Sequence, residues 1–149
     1  MLDDLKYIHE RDGQDALGLA EKQPEQLLYD FDIPDIEGQF DNVVVAGMGG
    51  SALSAQLAYN WPGLKIPMAI CRNYDIPSFV NENTLFIASS YSGNTEETLS
   101  ALAQAEAKGA KILVLAGGGR LAELAELKSI PIALLPQVTQ PRYAVFYSF

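Results

Sequence analysis

One cysteine, one histidine and one tryptophan are spread over 149 residues. A lone Cys71 cannot form an internal disulfide and excludes a thiolate-rich metal cluster, and no metal is expected. Basic residues are also scarce. There are 10 Lys plus Arg against 19 Asp plus Glu, a formal charge of −9. Proteins that neutralise nucleic-acid phosphates carry a Lys/Arg stripe, and its lack here argues against nucleic acid as a partner. Long apolar runs are missing as well. Residues 111–116 and 130–135 fall far short of the roughly 20 residues that a membrane span requires. The opening Met1-Leu2-Asp3-Asp4-Leu5-Lys6 has neither the basic region nor the apolar run of a secretory signal. No membrane partner is expected, and the expected compartment is the cytoplasm. What remains, 48% apolar residues with 6 Phe and 7 Tyr, suits one domain that buries roughly two-thirds of its unfolded surface.

From about residue 42 onward, short β-rich apolar runs alternate with segments of helical period, the pattern of a parallel sheet covered by helices. The expected strands are 43–46, 67–71, 84–89, 111–116 and 130–134. None shows polar alternation, as befits strands buried on both faces. Between them, Leu53 and Leu57, then Leu99, Leu102 and Ala103, then Leu121, Leu124 and Ala125 form stripes at helical spacing. Gly109 stands where a helix should stop. Residues 1 to about 30 read as one or two helices, with Leu2, Leu5, Ile8, Leu27 and Leu28 as apolar positions, followed by a loop with Pro34 and Gly38. This arm is expected to dock on the sheet domain. Near the other end, Pro141 suits the first turn of a helix whose stripe includes Val145, Phe146 and Phe149. The sequence stops inside that stripe, and a longer protein is expected.

The densest chemistry lies in Ser89-Ser90-Tyr91-Ser92-Gly93-Asn94-Thr95-Glu96-Glu97, which joins an expected strand to an expected helix. A phosphate placed there meets free helix N–H groups, the positive end of the helix dipole and the hydroxyls of Ser90, Ser92 and Thr95. Gly93 allows the backbone to approach the ligand with positive φ. Ordinary capping is the competing reading, with Asn94 as N-cap and Glu97 completing a capping box. That accounts for one or two polar residues, not for so many hydroxyls beside a glycine.

Val43-Val44-Val45-Ala46-Gly47-Met48-Gly49-Gly50-Ser51 is a second strand-to-helix turn. In an open α/β sheet two such turns can flank one crevice, where Gly50 and Ser51 offer a backbone N–H and a hydroxyl. A dinucleotide fingerprint fits poorly, because it needs glycine at Ala52 and an acidic residue where Cys71-Arg72-Asn73 stands. A tight turn for close packing needs no ligand at all. Other candidates are weaker. His9 could shuttle protons but has no motif around it. Gly117-Gly118-Gly119-Arg120 could accept an anion or simply turn the chain, and Glu96 and Glu97 suit the helix dipole better than a role as bases.

Gly47-Met48-Gly49-Gly50-Ser51, Ser90-Tyr91-Ser92-Gly93-Asn94-Thr95-Glu96-Glu97-Thr98 and Gln140-Pro141-Arg142 resemble, in that order, the successive motifs of the sugar isomerase (SIS) domain of bifunctional phosphoglucose/phosphomannose isomerases. The resemblance runs from about residue 40 to the end. It implies a flavodoxin-like α/β fold, a three-layer five-stranded parallel sheet with helices on both faces, over residues 41–149, with 1–40 as an N-terminal helical arm. It further implies a second SIS domain in a longer protein, assembled as a homodimer and needing no cofactor. Glucose 6-phosphate or mannose 6-phosphate would be interconverted with fructose 6-phosphate. Ser90, Ser92 and Thr95 would hold the phosphate, Gly50 and Ser51 would contact the sugar phosphate, and Arg142 would act at the reacting carbons.

One departure is Tyr143 before Ala144, where the family pattern has a smaller residue. A second is the missing base and ring-opening residues, which belong to the C-terminal SIS half, so this chain alone is expected to lack turnover. Arg142 suits its implied role, because a guanidinium stays charged and can donate two parallel hydrogen bonds to an enediolate. Without the resemblance, an arginine at a helix start pairing with one of the many surface carboxylates is the preferred reading. A noncatalytic phosphosugar-sensing SIS module is the alternative. Regulatory SIS domains usually accompany a DNA-binding helix-turn-helix, of which the acidic arm shows no sign.

Overall fold

Apolar runs without polar alternation form strands that are covered on both faces. In a computed structural model, which describes residues 3–31, 33 and 35–149, five do so: β1 (Asn42–Ala46), β2 (Met68–Cys71), β3 (Thr84–Ser90), β4 (Lys111–Ala116) and β5 (Ile132–Leu134). All pairings are parallel, in the order β2-β1-β3-β4-β5. Both edge strands start slightly later than expected because each is entered through proline. The carbonyls of Pro67 and Pro131 accept from Val43 and Val114 at 2.9 Å, yet neither imide nitrogen has a hydrogen to donate. After β2 the chain crosses back over β1 to lay β3 on its other side. The carboxyl ends of β1 and β3 therefore meet where the strand order reverses, the place where open α/β sheets collect ligands.

The helices are α1 (Leu5–His9), α2 (Ala16–Lys22), α3 (Gly50–Tyr59), α4 (Glu96–Ala107) and α5 (Gly119–Lys128). On one face of the sheet, Leu102 and Leu121 of α4 and α5 join Val44, Phe86 and Val114 in the main core. Burying each of the larger side chains stabilises the fold by roughly 1.5–3 kcal/mol. On the opposite face Ala55 of α3 packs with Val43 and Val45. The expected three layers are therefore present, although α3 leaves a groove of about 470 Å³ between strand residues such as Leu113 and Leu115 and the C-terminal Phe149.

Three local expectations change. Leu53 and Leu57 do not face the sheet; they are 46% and 44% exposed, and α3 buries Ala52, Ser54 and Ala55 instead. Small residues let the helix lie close to a sheet face already filled by Val43, Val45 and Ile87, which spacing alone does not reveal. On α4, Leu102 is buried but Ala103 is exposed, and the inward stripe is Thr98, Ala101, Leu102 and Ala105. Pro141 opens a 3₁₀ turn, Pro141–Ala144, rather than an α-helix. Its N-cap, Gln140, makes no side-chain cap bond, and so short a segment gains little from helix propagation. Phe149 instead meets the ring of Trp61 edge-on at 5.6 Å.

The N-terminal segment forms α1, α2 and a 3₁₀ helix, Gln23–Leu28, without a buried residue. Its long-range hydrogen bonds go to the C-terminal stretch. Gln23 donates to the carbonyl of Arg142 at 3.1 Å, Gln26 donates to that of Tyr143, and the Tyr147 N–H donates to Gln26. Leu2 and Pro34, expected in a helix and a loop, lie outside the described residues.

A candidate anion site at the mouth of strand β3

The serine loop is folded around its own first hydroxyl. Ser90 is the last residue of β3 and only 3% exposed. Its Oγ accepts the Gly93 N–H at 3.2 Å, and lies 2.7 Å from Thr95 Oγ1 and 3.4 Å from Ser92 Oγ. Ser92 Oγ in turn accepts the Asn94 N–H at 3.3 Å. The three side chains named from sequence thus converge, graded from buried Ser90 through half-buried Thr95 to exposed Ser92. Gly93 makes the turn possible. Its φ is +69°, and a Cβ there would lie 1.8 Å from the Gly118 carbonyl oxygen.

Helix α4 opens directly behind this cluster. Its N-cap is Thr95, in extended conformation and without a side-chain cap bond. The capping box considered for Asn94 and Glu97 does not form, because the helix starts one residue later than that box requires. Asn94 turns to the neighbouring loop, where its Oδ1 accepts the Arg120 N–H at 3.1 Å near the start of α5. First-turn N–H groups of a helix have no intrahelical acceptor and carry the positive end of the dipole, which favours an anion.

The glycine turn after β1 closes the other side. Ser51 Oγ accepts the Tyr91 N–H at 3.2 Å, tying the start of α3 to the serine loop. Gly50 faces the Pro141–Ala144 turn so closely that a Cβ would sit 3.4 Å from the Arg142 nitrogen and from Pro141 backbone atoms. All three motifs therefore border one place. Arg142 is exposed, and among the described residues its guanidinium has neither a hydrogen bond nor an ion pair. The surface carboxylate pairing considered for it is not made among them.

The remaining candidates have other surroundings. Gly117 and Gly118 form a wall for the serine loop, with the Gly117 N–H donating to the Tyr91 carbonyl and the Leu121 N–H to that of Gly93, both at 2.9 Å. Glu96 accepts the Tyr74 hydroxyl at 3.2 Å. The negative charge of Glu97, the hydrogen bond to Glu96 and some loss of solvent raise the Tyr74 phenol above its ordinary value. His9 is exposed on α1. Cys71 is buried with its thiol donating to the Asp75 carbonyl at 3.2 Å. Among the described residues no three His, Cys, Asp or Glu side chains gather as a metal site, and no helix is long and apolar enough to cross a membrane. Sequence reasoning misses that Tyr91 and Asn94 brace the loop, reading Asn94 only as a possible N-cap, because their partners lie in other segments.

No family model matches the chain. Similar proteins nevertheless define its class. The fold resembles that of tagatose-6-phosphate ketose/aldose isomerase from Escherichia coli, with a TM-score of 0.51 and 17% identity over 90% of this chain and 40% of that one. It also resembles the Vibrio vulnificus NanR protein, solved with ManNAc-6P, with a TM-score of 0.54 and 18% identity over 90% and 49% of the two chains. The architecture is the SIS fold of phosphosugar isomerases.

Sequence similarity narrows this. The bifunctional phosphoglucose/phosphomannose isomerase of Caldicellulosiruptor bescii is 49% identical over 111 residues, 73% of this chain and 33% of the relative. That of Thermoplasma acidophilum is 47% identical over 110 residues, 74% of this chain and 34% of the relative. The D-glucosamine-6-phosphate 4-epimerase of Sulfolobus acidocaldarius is 35% identical over 119 residues, 79% and 38% of the two chains. The chain is a homologue of the bifunctional phosphoglucose/phosphomannose isomerases and spans about a third of their length.

Proposed function

We propose that residues 41–149 are the sugar-phosphate-holding SIS domain of an aldose–ketose isomerase that interconverts glucose 6-phosphate or mannose 6-phosphate with fructose 6-phosphate. The observation that carries this reading is the convergence of the Ser90, Ser92 and Thr95 hydroxyls, within 2.7–3.4 Å of Ser90 Oγ, beside the Gly50-Ser51 turn and Arg142. Homology to the bifunctional isomerases supplies the substrate class.

In this reading the hydroxyls and the α4 amides hold the phosphate dianion, and Gly50 and Ser51 contact the bound sugar phosphate. Neutral donors bind the dianion while letting product leave. Isomerisation moves a proton between adjacent carbons through an enediol, so it requires a base and a group that stabilises developing oxyanion charge. Arg142 is the second of these. Gripping the unreacting phosphate places the reacting carbons beside it, so binding energy is used for orientation. The base and the ring-opening group belong to a second SIS half in the longer protein, with residues 1–40 as an arm on the first. Assembly is as a homodimer in the cytoplasm, within hexose phosphate metabolism, and the 149-residue chain alone lacks turnover.

Titration of the chain with fructose 6-phosphate and separately with NAD, followed by amide shifts over residues 90–95, tests the reading. Fructose 6-phosphate is expected to move these amides and NAD to leave them in place; the reverse pattern overturns it. Binding without isomerisation in the full-length protein would instead make this a phosphosugar-sensing module.

A further inference from the structure

Tyr91 stands between Ser90 and Ser92, and its bonds leave the serine loop in three directions. Its N–H donates to Ser51 Oγ at 3.2 Å, and its carbonyl accepts the Gly117 N–H at 2.9 Å. Its phenol oxygen accepts the Val138 N–H at 2.5 Å and lies 3.2 Å and 3.3 Å from the carbonyl oxygens of Pro136 and Val138, either of which can take its proton. The segment caught in this way leads from β5 into the Pro141–Ala144 turn that carries Arg142.

The guanidinium of Arg142 has no partner of its own among the described residues, so what the fold fixes is the backbone from which it extends. Gly50 bounds that backbone on one side. Gln23 holds the Arg142 carbonyl at 3.1 Å and Gln137 holds the Gly117 carbonyl at 2.9 Å, both in exposed positions open to competition from water. Gln26, on the Tyr143 carbonyl, and Tyr91, on Val138, hold this stretch from partly buried positions, where water competes less, and of the two only Tyr91 ties it to the serine loop.

We propose that Tyr91 is a positioning residue whose hydroxyl fixes the 136–138 segment and so the approach of Arg142 to a sugar phosphate held by the serine loop. This rests on the sugar-phosphate reading above. The ring alone does not suffice, because the bond to the distant segment is made by oxygen. Tyr91→Phe therefore separates the two roles, keeping the ring beside Gly117 while deleting the clamp.

The test is a fructose 6-phosphate titration of the chain and of Y91F, reading the amides of residues 93–95, the Arg142 Nε–H and hydrogen exchange at Val138. In the parent chain both the loop amides and Arg142 respond. In Y91F the loop amides are expected to respond with an unchanged midpoint, Val138 to exchange faster, and the Arg142 response to be lost. An Arg142 response that survives faster Val138 exchange overturns the inference. So does a loop midpoint that weakens together with Arg142, or an unfolded Y91F, since either makes Tyr91 a structural residue. Gln137→Ala, which loosens the same segment from its exposed side, is expected to keep the Arg142 response; its loss there would move the positioning role to Gln137. If the parent loop itself does not respond, the sugar-phosphate reading falls and this inference falls with it.

Discussion

Ser51 and Tyr91, forty residues apart in sequence, are joined by one hydrogen bond: the Ser51 hydroxyl accepts the Tyr91 N–H at 3.2 Å. That bond couples the turn after β1 to the loop after β3 at the point where the strand order reverses. Ser51→Ala leaves a partly buried amide without its acceptor. A typical cost is about 1 kcal/mol, seen as a lower denaturation midpoint and faster exchange of the Tyr91 amide. An unaltered exchange rate would show that the two turns are held together by other contacts.

Gly93 should not tolerate a side chain. Its φ of +69° disfavours any L residue, and the 1.8 Å approach of a Cβ to the Gly118 carbonyl leaves no room for one. Gly93→Ala is expected to destabilise the domain by about 3 kcal/mol or more, combining left-handed strain with a backbone clash. Urea denaturation measures this, and a loss below about 1 kcal/mol would mean the loop has another conformation available.

Tyr74 provides a pH test beside the same helix start. The carboxylate of Glu97 and the hydrogen bond to Glu96 raise its phenol above 10.0, favouring the protonated form in the folded state. The associated stabilisation is fully present below the unfolded value and is lost as pH rises through the higher folded value. Glu97→Gln is expected to move the phenolate absorbance transition of Tyr74 downward, toward the ordinary value. A transition that stays in place would remove Glu97 as the main cause.

Much of this architecture is legible in the residues. The strands are visible because Val43 to Val45 and residues 112–116 are apolar on both faces, whereas the prolines at 67 and 131, read as part of the edge strands, in fact stand just before them. The serine loop stands out by composition. What periodicity misjudges is the inward face of α3, where Ala52 and Ala55 win over Leu53 and Leu57 because a close helix needs small residues. The braces are hidden for a different reason. The hydroxyl of Tyr91 meets Val138, 47 positions away, and Asn94 serves the Arg120 amide 26 positions away, so no local pattern contains either partner.

Calorimetric titration of fructose 6-phosphate into the chain and into its Ser92→Ala and Thr95→Ala variants is the most direct test of the hydroxyl cradle. A hydrogen bond to a charged group contributes roughly 1.5–3 kcal/mol, so each variant is expected to bind at least about tenfold more weakly, with unfolding shifted little for exposed Ser92. Undiminished affinity in both folded variants would contradict the account.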